Sequence, residues 1–85
     1  MKAYVLYTQD SPIHREVARF CEKLIRLGVE AEEIYADSPE GSRIAEIYDL
    51  MSRPSVLLVR GDGSVVERWE HDLPQPEDVS YLAHI

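Results

Sequence analysis

Apolar and polar positions change period repeatedly along the chain, and each change marks an element. Ala3 to Thr8 is a short, nearly all-apolar run rich in Tyr and Val, the pattern of a central strand covered on both faces. Gln9-Asp10-Ser11-Pro12 breaks it, with Ser11 suited to cap a helix and Pro12 to occupy its first position. Ile13, Val17, Phe20, Cys21, Leu24 and Leu27 then recur at helical spacing, and Gly28 supplies the stop. Val29 to Ala36 contains a weaker strand in which Ala31, Glu33 and Tyr35 alternate with Glu32 and Ile34; its acidic character predicts a place near a sheet edge. Asp37-Ser38-Pro39-Glu40 reads as a helix start, and Ile44, Ile47, Tyr48 and Met51 as the apolar stripe of a second amphipathic helix. Ser55 to Arg60 reads as a buried strand, Gly61-Asp62-Gly63 as a hairpin turn and Ser64 to Trp69 as the returning strand. Pro74 and Pro76 interrupt the chain before a short closing helix, Glu77 to Ala83, with acids in its first turn.

The order is β-α-β-α-β-β-α. Strands joined by a helix are expected to run parallel with a right-handed crossover, and the last two antiparallel. The fold class expected is α/β, a four-stranded mixed sheet with helices on both faces. The 85 residues suffice for one domain, read as spanning 1–85.

Composition changes this picture mainly by exclusion. Hydrophobic residues make up 45% of the chain and charged residues 29%, as in a folded globular protein rather than a disordered one. No apolar run approaches the ~20 residues of a membrane span, and the N-terminal run is too short for a secretion signal, so a cytoplasmic protein is the expectation. With 16 acidic against 9 basic residues the formal charge is −7, which repels phosphate backbones and anionic membranes; neither nucleic acid nor membrane is expected as a partner. Cys21 is the single cysteine, so neither an internal disulfide nor a CxxC pair can form.

Several residues invite sharper readings. His14, His71 and His84 fall in three different elements without a tight ligand pair, and read as solvated or capping side chains; no metal or other cofactor is implied. Arg60-Gly61-Asp62 is explained by the needs of a tight turn. Glu30, Glu32 and Glu33 read as a solvated surface, Trp69 as core or edge packing, and Cys21 as a small hydrophobe on the apolar face of its helix.

The stretch Ile44-Ala45-Glu46-Ile47-Tyr48-Asp49-Leu50-Met51-Ser52-Arg53-Pro54-Ser55-Val56-Leu57-Leu58-Val59 resembles the second half of thioredoxin and glutaredoxin domains. Arg60 to Trp69 is similar to the hairpin and final strand of the same superfamily, and Tyr7-Thr8 before a Ser-Pro helix start is similar to the glutaredoxin strand end. The resemblance spans nearly the whole chain and implies a thioredoxin-like fold of glutaredoxin size. Where that family carries Cys-Pro-x-Cys, this chain has Ser11-Pro12-Ile13-His14, matched with about a one-residue shortening of the loop. Serine lacks the acidity of a thiol at a helix N-terminus, so disulfide exchange is not expected. Pro54 corresponds to the family's cis-proline, which implies a cis Arg53-Pro54 bond and a backbone presented to an extended segment.

The expected function is therefore that of a redox-inactive thioredoxin-like domain that binds a protein or peptide through a groove of Ser11, Pro12, Ile13, His14, Arg53 and Pro54, with Arg53 available to a partner's carboxylate or carbonyl. One alternative is a weak thiol- or glutathione-dependent oxidoreductase or transferase using Cys21 or Ser11/His14. Another is a structural role, as an assembly piece or an obligate dimer through the edge strand Ser64 to Trp69; for the binding domain itself a monomer or weak dimer is expected.

Overall fold

The computed structural model describes residues 1–8, 13–51 and 54–85. In chain order it contains strand β1 (Lys2–Tyr7), helix α1 (His14–Arg26), strand β2 (Glu30–Tyr35), helix α2 (Pro39–Tyr48), strands β3 (Ser55–Val59) and β4 (Val65–Glu70), and helix α3 (Pro76–Ala83). The strands form one mixed sheet in the order β2-β1-β3-β4. β1 runs parallel to β2, and β3 runs antiparallel to both β1 and β4. The acidic strand is thus at an edge, as its composition predicts.

Alternation along β1 divides the interior in two. Ala3, Val5 and Tyr7 point to one face and pack with Val56 and Leu58 of β3 against Val17, Phe20, Cys21 and Leu24 of α1 and Val79 of α3. Leu6 points to the other face and packs with Ile34 and Leu50, where Ile44, Ala45 and Tyr48 of α2 cover it. Helices therefore lie on both faces. Each fully buried Leu or Val contributes about 1.5–3 kcal/mol relative to exposure, so these two layers carry most of the driving force for folding.

α1 ends as its glycine requires. Gly28 takes φ +84°; its N–H donates to Ile25 O and that of Val29 to Leu24 O, which satisfies two terminal carbonyls while Val29 and Leu24 join the same core cluster. The β3–β4 turn is similarly determined. Gly63 N–H donates to Arg60 O and Arg60 N–H to Ser64 O, with Gly63 at φ +88°. Leu58 pairs with Glu67 but Val59 with Val65, leaving Val66 as the extra residue of a bulge.

Two expectations are corrected. α2 does not connect parallel strands: β3 enters on the far side of β1 from β2 and runs antiparallel to it. The helix ends at Asp49, in the left-handed region at φ 55°, and Leu50 N–H donates to Ala45 O, so the chain turns off the helix and returns before joining the sheet. The buried side of α2 keeps only half of the predicted stripe, Ile44 and Tyr48. Ile47 and Met51 are 65% and 81% exposed, whereas Gly41 is buried and Ile44, Ala45 and Tyr48 are partly so. Gly41 sets this rotation, because a Cβ there would collide with Tyr35 O and come within 2.9 Å of Ala36 Cα.

Candidate functional site

The register decides which segments meet. Tyr7 of β1 pairs with Tyr35 of β2, and Leu6 pairs with Ser55 of β3. The C-terminal ends of β1 and β2, the start of α1 and the entry of β3 therefore share one end of the sheet. In open α/β sheets ligands bind outside the carboxyl ends of the parallel strands, where a helix begins.

Three of the six residues singled out from the sequence can be placed. Ile13 precedes α1 in a helical conformation, accepts the first helical hydrogen bond from Val17 N–H at 2.9 Å, and packs its half-buried side chain against the main core. His14 opens the helix, exposed, with its ring 5.4 Å from that of Tyr7. Pro54 is buried immediately before β3. Ser11, Pro12 and Arg53 lie outside the described residues, and with them the expected helix cap and the geometry of the Arg53-Pro54 bond.

A cluster missed in the sequence underlies this end. The Tyr7 ring is buried, with His14 on one side and the Tyr35 ring 5.1 Å away. Its hydroxyl donates to Glu33 Oε1 at 3.3 Å. Burial first, then the Tyr35 and Glu33 neighbours, holds the phenol well above its ordinary value, so it stays a neutral donor. His71 follows β4 with φ 84°, one residue beyond Glu70, which pairs with Ser55; it therefore stands at the same end. The signal available in sequence was the period-two register of β1 and β2, which puts Tyr7, Glu33 and Tyr35 on one face once the strands are paired in parallel.

The only thiol does not reach this surface. Cys21 is 4% exposed on the core side of α1, and its thiol is pushed up to about 12, chiefly by burial and secondarily by the Glu33 carboxylate. At neutral pH it is a protonated, enclosed thiol, the opposite of an activated nucleophile. The three histidines stand apart, at the start of α1, after β4 and after α3, where His84 Nδ1 lies 2.8 Å from Ser80 O. Among the described residues no group of three or more His, Cys, Asp or Glu side chains could hold a metal ion. Asp62 is held within its turn by Ser64, whose N–H and Oγ–H donate to Oδ1 at 2.9 and 2.7 Å and keep the carboxyl below its ordinary value. The half-buried Trp69 packs against the main core. A surface depression of about 350 Å³ lies away from this end, lined by Lys2, Ile25, Gly28 and the first residues of β2. Among the described residues no helix is long and apolar enough to cross a membrane.

No protein-family model and no curated protein matches the sequence. Solved structures do. A malarial protein superposes with a TM-score of 0.74 at 13% identity, over 96% of this chain and 91% of that one. Thioredoxin 1 from the thermophilic eubacterium Thermosipho africanus TCF52B gives 0.73 at 10% identity, over 99% and 91%. A thioredoxin from Thermus thermophilus gives 0.63 at 20% identity, over 96% and 70%. At these identities the likeness concerns the fold, and the chemistry has to be argued from the residues present.

Proposed function

We propose that this chain, which has the thioredoxin fold, works by binding a protein or peptide and not by thiol–disulfide exchange. The observation that carries the reading is the position of its one thiol: Cys21 is enclosed on the core face of α1, while the helix start at the open end of the sheet carries Ile13 and His14. Exchange requires a thiolate that an incoming disulfide can reach, and a thiol pushed up to about 12 in a buried position meets neither condition.

The groove proposed runs from Ser11, Pro12, Ile13 and His14 to Arg53 and Pro54. Pro54 marks where an extended segment would pair with backbone, next to Ser55, which is itself held between β1 and β4, and the exposed His14 ring, tilted 59° to the buried Tyr7 ring, stands at the same end. The Tyr7 ring that His14 contacts is anchored by the bond from its hydroxyl to Glu33.

Two measurements on the full chain test this. Reduction of insulin disulfides with dithiothreitol or glutathione as reductant is expected to stay at background; turnover abolished by Cys21→Ala would overturn the redox-inactive part. Amide-shift titration with a library of short synthetic peptides is expected to perturb Ile13, His14 and Ser55 together. Binding peptides that instead perturb only the hairpin or α3 would move the site elsewhere.

A further inference from the structure

β2 is an edge strand guarded by negative charge alone. Its six residues, Glu-Ala-Glu-Glu-Ile-Tyr, include three glutamates but no proline, lysine or bulge, and among the described residues no strand lies outside it in the sheet. The opposite edge differs, since β4 is twisted by the Val66 bulge and its Arg68 donates to the Tyr48 carbonyl that ends α2. Ala36 N–H donates to Tyr7 O of β1, so by alternation Glu30, Glu32 and Ile34 carry the bonds to β1, and Ala31, Glu33 and Tyr35 turn their backbone groups outward. The Tyr35 carbonyl is taken by Ser38, leaving those of Ala31 and Glu33 directed at the open side.

The side chains along this edge differ between its two faces. On the α1 face, Ala31 and the 60% exposed Ile25 line the depression of about 350 Å³, which Lys2, Glu30 and Glu32 also line. On the other face stand Glu30, exposed, and Glu32, which Lys2 contacts at 2.7 Å. Glu33 adds a further carboxylate, on a chain of formal charge −7. A second copy paired edge to edge would set glutamates against glutamates, which is unfavourable. We propose that the outer edge of β2 receives an extended cationic segment of another protein as a fifth strand, with apolar side chains over Ile25 and Ala31 and basic ones over Glu30 and Glu32. This surface is distinct from the groove at Pro54, and either can fail without the other.

The probe is a short synthetic peptide of alternating lysine and valine, added to the full chain. Saturable binding is expected, with amide shifts and new exchange protection at Ala31 and Glu33 and a shift at Ile25. Glu30→Lys should weaken binding about tenfold, with further loss on going from low to physiological salt. Ala31→Pro removes an outward N–H without touching the β1 ladder and should abolish binding. Should that variant not fold, a peptide N-methylated at alternate positions, tested on the unaltered chain, asks the same question and should not bind. Equal binding of the methylated peptide would reduce the effect to charge attraction and overturn strand addition. No saturation, shifts confined to the Pro54 end, or concentration-dependent shifts at 30–35 without peptide (pairing of two copies) would also overturn it.

Discussion

Cys21 shows how a residue's chemistry follows from its position in a helix. Four core side chains of α1 fall at helical spacing, and the thiol is one of them. Burial pushes it from an ordinary 9.0 up to about 12, with Glu33 acting in the same direction. The folded chain then keeps a proton that the unfolded chain releases, so stability is full below about pH 9 and falls as pH rises toward 12. Tyr7, also raised, contributes with the same sign. The urea midpoint of the parent chain is expected to drop more steeply above pH 9 than that of Cys21→Ala; parallel curves would show that the thiol titrates normally. Native alkylation of Cys21 at neutral pH should be slower than in denaturant by at least about a hundredfold, reporting the free energy of exposing it.

At the scale of elements, Gly41 decides how α2 sits on the sheet. A glycine inside a helix ordinarily costs about 1 kcal/mol relative to alanine, so Gly41→Ala in an open helix would stabilise. Here the added Cβ would meet the Tyr35 carbonyl oxygen and Ala36 Cα, which are backbone atoms that cannot rotate away. We expect Gly41→Ala to destabilise the protein by about 2–4 kcal/mol, a fall in Tm of at least about 10 °C in thermal unfolding. An unchanged or higher Tm would mean that α2 does not pack this closely. The start of α2 is independently fixed, because Ser38 Oγ accepts from Gly41 N–H at 3.0 Å and Pro39 takes the first helical position. Helix α3 packs against α1 on the other face, with Val79 fully buried and Leu82 and Ala83 against the same cluster.

The whole molecule is two apolar layers on either side of one sheet, and β1 and β3 are its centre. Every residue of β3 is buried, as are Ala3, Val5, Leu6 and Tyr7 of β1, whereas among the described residues β2 and β4 each pair on one side only. Amide hydrogen exchange is therefore expected to be slowest at Val5, Leu6, Val56 and Leu57, and faster along β4 and the outward positions of β2. Equal protection across all four strands in a monomeric sample would contradict this arrangement. Most of this architecture was written locally. The apolar runs of β1 and β3, the helical spacing of α1, Gly28, the Gly61-Asp62-Gly63 turn, the edge character of β2 and the lack of a CxxC pair all follow from neighbouring residues, because period, turn chemistry and composition act over a few positions. What required the folded chain was everything set by distant segments. Of the Ile44, Ile47, Tyr48 and Met51 stripe, the Ile47 and Met51 half failed: both are exposed because Gly41 seats α2 against a carbonyl of β2, and no periodicity within α2 records that contact. The direction of β3 failed likewise, since a helix between two strands is compatible with either sense until the third strand finds its neighbour. The Tyr7, His14, Tyr35 and Glu33 cluster exists only because parallel pairing brings residues 26 and 28 positions apart to one face. Local sequence determined the elements and, with a single cysteine, left no CxxC pair; tertiary packing alone decided which surfaces are left open, because exposure is a property of what lies beside a residue in space.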